Sequence, residues 1–456
     1  MSKNQSDLNI GVVNPYALAE LITEKKINWK EQKNTRYLLE EILERPYEKL
    51  FDPKFDSPLY PGVRLQKNNK IKKVSIKEIK VRDLSIPTEI ESILSEITKL
   101  SDLKKKKEFS KSKIEDLPII NAELLPDGTL SLQIDMSEIE KKAISNTYID
   151  SKVLPYLLTL KSGSANTEWT PSGSSWQDIG NFFNEAAEGN DPVQGAVANC
   201  YFMAALSSVA WTYPYVIAHR TRASGIGQQQ FLNKIKLFSK GGGKDSSTRE
   251  IEVSEQLITN ASGNLRYARS SENAEIWCGV YEKAFAKWIT ENNTDRPDIT
   301  ATAFGDCVKA TAQLIDGDRT YFRTSDYSAN DIYTSVRRNS MSRKTINPMT
   351  AWTYSSGDSS PDKVIYSDAN LVANHCYSIF GWAYNNGRKY IVLRNPWGST
   401  EATGNVLTGT WMAFDNSFWR PIALTNNDGI FALEASTFKQ YFAGWGISKI
   451  GNSLIS

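Results

Sequence analysis

Four residues of this 456-residue chain carry the groups needed for nucleophilic acyl chemistry: Gln194, Cys200, His375 and Asn395. A thiol attacks a carbonyl as the thiolate, which forms beside a helix N-terminus or an imidazolium. Cys200 lies in DPVQGAVANCYFMAALSSVAW, residues 191–211, between a turn of small residues and a strongly apolar run. That change of pattern predicts a helix starting near Asn199-Cys200. Two histidines are available. His219 follows Cys200 by about five helical turns of sequence, so it reads as a helix-end residue near Arg220 and Arg222. His375 opens HCYSIFGWAYNNGRKYIVLRNPWG, residues 375–398. Taken singly, Cys200 reads equally as apolar packing and His375 as a hydrogen-bonded structural residue.

The elements that must position these groups change the balance. Two β-rich runs flank Asn385-Asn386-Gly387, which predicts a hairpin. If the loop is those three residues, residue 375 lies opposite residue 397, and residue 395 is one diagonal step away. Strand side chains alternate, so His375, Asn395 and Trp397 then share a face. Asn395 can hold one imidazole nitrogen while the other faces a thiol, the orienting role of a third group in triad chemistry. Trp397 can cover that bond. Gln194, six residues before Cys200, can donate its amide to an oxyanion together with the Cys200 backbone N–H. Gly195, Ala196 and Ala198 keep the turn slim enough for a substrate backbone.

Composition divides the chain. The four cysteines, both histidines and nearly all tryptophans follow residue 160, whereas the first 152 residues hold about half of the charged residues. Residues 1–160 are read as a charged α+β extension, with a helix in 34–51 that stops near Pro46, another in 89–100, a solvated lysine run in 102–109, and a hairpin in ELLPDGTLSLQID. A Ser/Gly/Thr/Pro-rich linker, 161–175, follows. Residues 176–320 read as a mostly helical half; EIWCGVYEKAFAKWI is its clearest amphipathic helix. Residues 321–456 read as a β-rich half, and a cleft between two such halves is where pockets tend to form. A formal charge of +2 gives no footprint for nucleic acid. No run of about 18 apolar residues predicts a membrane span. The N-terminus lacks a basic region followed by an apolar run, so no signal peptide is expected. Four cysteines without CxxC spacing are expected to be reduced thiols in a cytoplasmic setting, although leaderless export would leave no trace in the sequence.

QGAVANCYFMAALSSVA, WCGVYEKAFAKW, NHCYSIFGW and RNPWG, in one order over residues 176–445, together resemble the protease core of the calpains, a papain-like cysteine peptidase family. The resemblance implies an α+β, papain-like core of two subdomains. It implies Cys200 as nucleophile, His375 as general base and acid, Asn395 as its orienting residue and Gln194 as oxyanion donor. Trp397 matches the tryptophan that shields the triad and, in calcium-free calpains, wedges the subdomains apart. The family's Gly-Asp-Cys-Trp is Ala198-Asn199-Cys200-Tyr201 here, and its Gly-His-Ala-Tyr is Asn374-His375-Cys376-Tyr377. Cys376, Cys278 and Cys307 read as small apolar filling. The resemblance also implies calcium as a regulator, with Asp191 and Glu282 matching acidic ligands of a first site. Asp428 matches a second site, but Ile430 stands where the family has glutamate, which weakens that site. No EF-hand loop is present, and no cofactor is needed for the chemistry.

The expected activity is therefore endopeptidase hydrolysis of proteins or peptides by a Cys-His-Asn triad, with the extension inhibitory, targeting or partner-binding. Two rivals use the same residues: an acyltransferase in which an amine replaces water, and a catalytically silent calpain-like binding module.

Overall fold

The computed structural model describes residues 8–23, 119–124, 130–134, 168–184, 186–224, 232–415 and 418–450. One compact unit joins residues 1–62 to 165–456, and a second comprises 63–164. The chain opens with α1 (Pro15–Thr23). In the second unit, β1 (Ile119–Leu124) and β2 (Leu130–Ile134) pair antiparallel, with Leu124 opposite Leu130. This is the hairpin expected around Pro126-Asp127-Gly128. The helices expected in 34–51 and 89–100, and the lysine run, lie outside the described residues.

Two boundaries differ from the composition reading. Residues 8–20 pack in the first unit, where Ile10 forms an antiparallel bridge to Gly305. Their apolar run IGVVNPYALA carries no charge, a local exception hidden by averaging over the extension. The linker also ends early. The Trp169 N–H donates to the Arg296 carbonyl, and β3 (Ser174–Gln177) pairs as a strand.

The half expected to be mostly helical is mixed. It contains α2 (Cys200–Thr212), α3 (Pro214–Arg220), β4 (Thr221–Ser224), β5 (Leu232–Leu237), β6 (Arg249–Ser254), β7 (Leu257–Asn260), α4 (Trp277–Ile289) and α5 (Cys307–Ile315). Strands β4, β5 and β6 form a sheet, and β7 pairs with β3. LNKIKL alternates inward and outward residues, a period of two that places Ile235 and Leu237 in the interior. Helix α4 buries Trp277, Val280, Tyr281, Ala284, Phe285 and Trp288 as its apolar spacing requires.

The other half is β-rich. Its elements are β8 (Gly317–Arg323), α6 (Ala329–Arg338), β9 (Lys344–Thr353), β10 (Cys376–Asn385), β11 (Arg388–Arg394), β12 (Thr410–Asp415), β13 (Phe418–Ala423), β14 (Ile430–Glu434), α7 (Ala435–Tyr441) and β15 (Phe442–Ile450). An antiparallel sheet runs β8-β15-β9-β10-β11-β14, edged by the short strand Val406–Leu407. One face meets α6 and α7 in a core that includes Ile332, Val336, Tyr377, Ile379, Leu393 and Phe438. Helix α2 packs against β9 and β10 with every residue from Cys200 to Trp211 buried. Ala204, Ala205, Ser207, Ser208 and Ala210 leave room for close approach. The Ser208 hydroxyl both donates to the Met349 carbonyl (2.9 Å) and accepts from its N–H (2.8 Å). Ser378 Oγ donates to the Ala204 carbonyl at 2.7 Å. These bonds fix the helix carrying Cys200 against the strand that follows His375.

The β10–β11 hairpin reaches its register by a route the sequence did not indicate. The turn has two residues, Asn386 (φ 48°) and Gly387 (φ 81°), with Asn385 opposite Arg388. Continued unchanged, that register would place residue 375 opposite residue 398. A bulge between Ile379 and Gly381 shifts the pairing by one, so Ser378 faces Arg394. The offset equals that of a three-residue loop with no bulge, and it brings residues 375 and 397 level.

Candidate active site

Cys200 is the first residue of α2 and is fully buried. Its predecessor Asn199 does not cap the helix with its side chain. The Asn199 amide instead donates to Glu282 Oε1 (2.6 Å) and Thr302 Oγ1 (3.1 Å). The first-turn N–H groups therefore keep their electropositive face for a thiolate. Burial pushes the Cys200 thiol up, but hydrogen bonding from the Cys376 thiol and the charge and hydrogen bond of His375 outweigh it. The net direction is well below the usual thiol range.

His375 is held by its backbone, with its N–H donating to Thr353 Oγ1 at 2.9 Å. Its Nε2 lies 2.9 Å from Asn395 Oδ1. The Asn395 amide group is oriented independently, because its Nδ2 donates to the Thr400 carbonyl at 3.0 Å. Oδ1, which also accepts the Trp397 N–H at 3.1 Å, is therefore the atom facing the ring. An oxygen acceptor requires the proton on Nε2, which leaves Nδ1 with its lone pair. Nδ1 is buried, and the Cys200 thiol is the group it acts on. The fully buried Trp397 ring lies 4.8 Å from the His375 ring, tilted by 46°, and screens the His-Asn bond.

Gln194 Nε2 donates to two carbonyls, Val197 and Val12, each at 2.6 Å. The turn beside it needs Gly195, since a Cβ there would lie 2.2 Å from the Tyr267 backbone. Asn374 has φ 52°, a left-handed conformation that glycine adopts freely and asparagine tolerates. This explains how asparagine can replace the glycine of the family pattern.

The structure thus brings Gln194, Cys200, His375, Asn395 and Trp397 together; it separates the two acids matched to calcium. Both Glu282 oxygens are engaged, one by Asn199 and the other by the Ala268 N–H at 3.0 Å. Burial lifts this carboxyl to about 7 against both bonds. Asp191 instead gathers with Glu188 and Glu272, whose ligand oxygens lie within 4.8 Å of one another. Glu275 is near enough for its charge to act on Asp191. Glu282 belongs to the packing behind Cys200, because its place on α4 turns it toward Asn199. In the second region Asp428 Oδ1 accepts the Ile430 N–H, while Glu401 accepts the Asp428 and Gly429 N–H groups.

Sequence reasoning missed three further contributors. Arg394 is fully buried and donates to the carbonyls of Pro192 (2.7 Å) and Asn190 (2.5 Å), tying β11 to the turn before Cys200. Its position directly before Asn395 was the available signal. The second is Cys376, whose thiol bonds to Cys200 and Cys307 instead of only filling space; burial and those bonds push it well above the usual range. Cys376→Ala is expected to lower kcat/KM at pH 6 by about 2- to 10-fold, the worth of one net hydrogen bond, with little change at pH 9. A pH–rate profile of the two proteins checks this. The third is the segment around Val12, near which no motif stands.

A model of the calpain family cysteine proteases matches residues 150–449. The chain is 25% identical to a thiol protease of Porphyromonas gingivalis (strain ATCC BAA-308 / W83), over 97% of this chain and 88% of that protein. It is 25% identical to the calpain-1 catalytic subunit of Gallus gallus over 62% of this chain, and 24% identical to the calpain-2 catalytic subunit of Homo sapiens over 58%. The matches span 38% and 36% of those two calpains. The cleft residues and the family match over most of the chain lead to one conclusion: the chain belongs to the calpain family of cysteine proteases.

Proposed function

We propose that this cysteine-type peptidase hydrolyses internal peptide bonds of proteins through Cys200, His375, Asn395 and Gln194. The observation that carries the proposal is the 2.9 Å His375–Asn395 bond, which commits Nε2 and leaves the buried Nδ1 to act on a thiol of lowered pKa. The Cys200 thiolate attacks the carbonyl carbon, and the charge on oxygen is met by Gln194 Nε2 and the Cys200 N–H. Protonated His375 gives its proton to the leaving amine nitrogen as the C–N bond breaks, leaving an acyl thioester on Sγ. His375 then takes a proton from water, whose oxygen attacks the thioester carbon and releases acid and thiolate. The test is peptide cleavage with an added amine nucleophile. Carboxylic acid products support hydrolysis, amide products would assign acyl transfer, and no product from a folded protein would leave a silent binding module. The four free cysteines suit a reducing, cytoplasmic setting. Among the described residues no helix is long and apolar enough to cross a membrane.

Calcium regulation forms part of this proposal, with its first site at Asp191 rather than at the Asp191–Glu282 pair. The donor set fits a hard cation: three carboxylates converge, and Asp191 Oδ1 is buried without a partner. Burial pushes Asp191 up to about 7, and neighbouring Glu275 and Glu188 add to it against the Glu188 backbone N–H. Asp191, Glu188 and Glu272 would hold the ion, which would neutralise this acidic turn nine residues before Cys200. Calcium at a hundredfold excess over Kd contributes about 2.7 kcal/mol, so Tm is expected to rise by roughly 3–5 °C. Asp191→Asn should abolish most of that rise. Calorimetry with calcium and with chelator checks this, and equal shifts in both proteins would remove the site.

A further inference from the structure

Residues 8–14 lie along the cleft just described and show what form of chain it admits. Leu8 N–H donates to Asp306 Oδ2 at 3.3 Å, and Ile10 exchanges both backbone hydrogen bonds with Gly305, at 2.9 and 3.0 Å. The Gly11 carbonyl accepts from Asn374 Nδ2 at 3.0 Å, beside His375. The Val12 carbonyl oxygen is held by Gln194 Nε2 at 2.6 Å. Val12 therefore stands in the place of an acyl residue, and Gly11 in the place before it. At Gly11 the cleft offers a wall instead of a pocket. A Cβ there would lie 2.5 Å from the Ala198 carbonyl oxygen and 2.8 Å from the Phe304 ring. Gly11 does not have a left-handed φ. Lack of space, not backbone conformation, is what requires glycine.

The wall is tied down by the residues around it. The Ala198 carbonyl accepts the Phe304 N–H at 2.9 Å. Lys244 Nζ donates to the carbonyls of Ala301, at 2.6 Å, and Ala303, and the Tyr201 hydroxyl donates to that of Thr302 at 2.8 Å. Gly305 lies against the Tyr201 ring, where a Cβ would come within 2.5 Å. Phe304 itself has φ 58°. A bulky residue in that conformation is an outlier, kept only where the surroundings over-determine it, as at ligand clamps. We propose that Ala198 and Phe304 form a subsite that selects glycine as the second residue before the scissile bond. The preferred substrates are then polypeptide segments in which glycine directly precedes the acyl residue. The proposal rests on the peptidase reading of Cys200. A side chain at that position pushes the strand away from Gln194 and Cys200, so the loss falls on the transition state. One methyl group too many is worth about 10- to 200-fold in kcat/KM.

The test digests a mixed peptide library with the full-length protein in calcium and reads the residues before each cut by mass spectrometry. Glycine is expected at the second position before the cut at least about tenfold above its frequency in the library. In parallel, kcat/KM is measured for two fluorogenic peptides that carry Ile-Gly-Val or Ile-Ala-Val before the reporter amide. The glycine peptide should be cut at least about tenfold faster by wild type. Phe304→Gly removes the ring and relieves the left-handed strain. Its ratio should fall below about threefold, chiefly through faster cutting of the alanine peptide. A Phe304 that only holds the fold would change both rates together and leave the ratio where it was. Equal rates for the two peptides in wild type, or an unchanged ratio in a Phe304→Gly protein that melts like wild type, would overturn the inference and leave the peptidase reading standing. A folded protein that cuts no peptide would overturn both.

Discussion

Cys200→Ala is expected to lower kcat/KM for peptide hydrolysis by about 10⁴- to 10⁶-fold, the scale seen when a nucleophile is removed from a set of residues acting as a unit. The size follows from the site. His375 would keep its bond to Asn395, and Gln194 its amide, but no group would remain to form the acyl intermediate. Folding should be nearly unaffected. Cys200 is a small buried residue, and alanine removes one atom from a helix already rich in alanine. The comparison is kinetic, with a thermal melt of both proteins as control. A variant that melts like wild type and still cleaves at more than about 1% of its rate would show that Cys200 is not the nucleophile.

The largest expected loss of stability is at Arg394. Arg394→Met should lower the unfolding free energy by roughly 3–5 kcal/mol, and Tm by about 5–8 °C. The guanidinium satisfies the buried carbonyls of Asn190 and Pro192 and has the Ser207 hydroxyl 3.4 Å away. Methionine fills much of the volume but leaves those carbonyls without a donor. Burial already pulls the Arg394 pKa down to about 10, opposed by the charges of Asp428 and Asp191. Arg394→Lys should recover only part of the loss, because one ammonium lacks the fork that reaches both carbonyls. Chemical denaturation of the three proteins checks the order. Equal stability of Arg394→Met and wild type would mean that the two halves are held together elsewhere.

Much of the site was legible because its signals are local. The switch from small to apolar residues marks the start of α2 at Cys200, and alternation along the hairpin selects His375, Asn395 and Trp397. What was not legible depends on contacts remote in sequence. The acid partners of Asp191 come from Glu188 and the loop before α4, and spacing alone cannot tell whether Glu272, Glu275 or Glu282 turns toward it. The strands β4 to β6 alternate over only a few residues each and lie between strong helical patterns, so the half they belong to read as helical. Residues 8–20 are separated from Cys200 by about 180 positions, and nothing in IGVVNPYALA announces what it touches.

The bulge at Phe380 separates two design requirements of one hairpin. Below it, spacing is dictated by His375 and Asn395; above it, only the turn at Asn386-Gly387 sets the pairing. The outer tip can therefore exchange loop length for bulge without disturbing the chemistry. A protein with one residue added at the turn and the Phe380 irregularity removed would align the same two side chains. For engineering, the solvent end of β10–β11 is the place to graft a peptide or a fluorophore site, provided each odd insertion is matched by a compensating change between Ile379 and the turn.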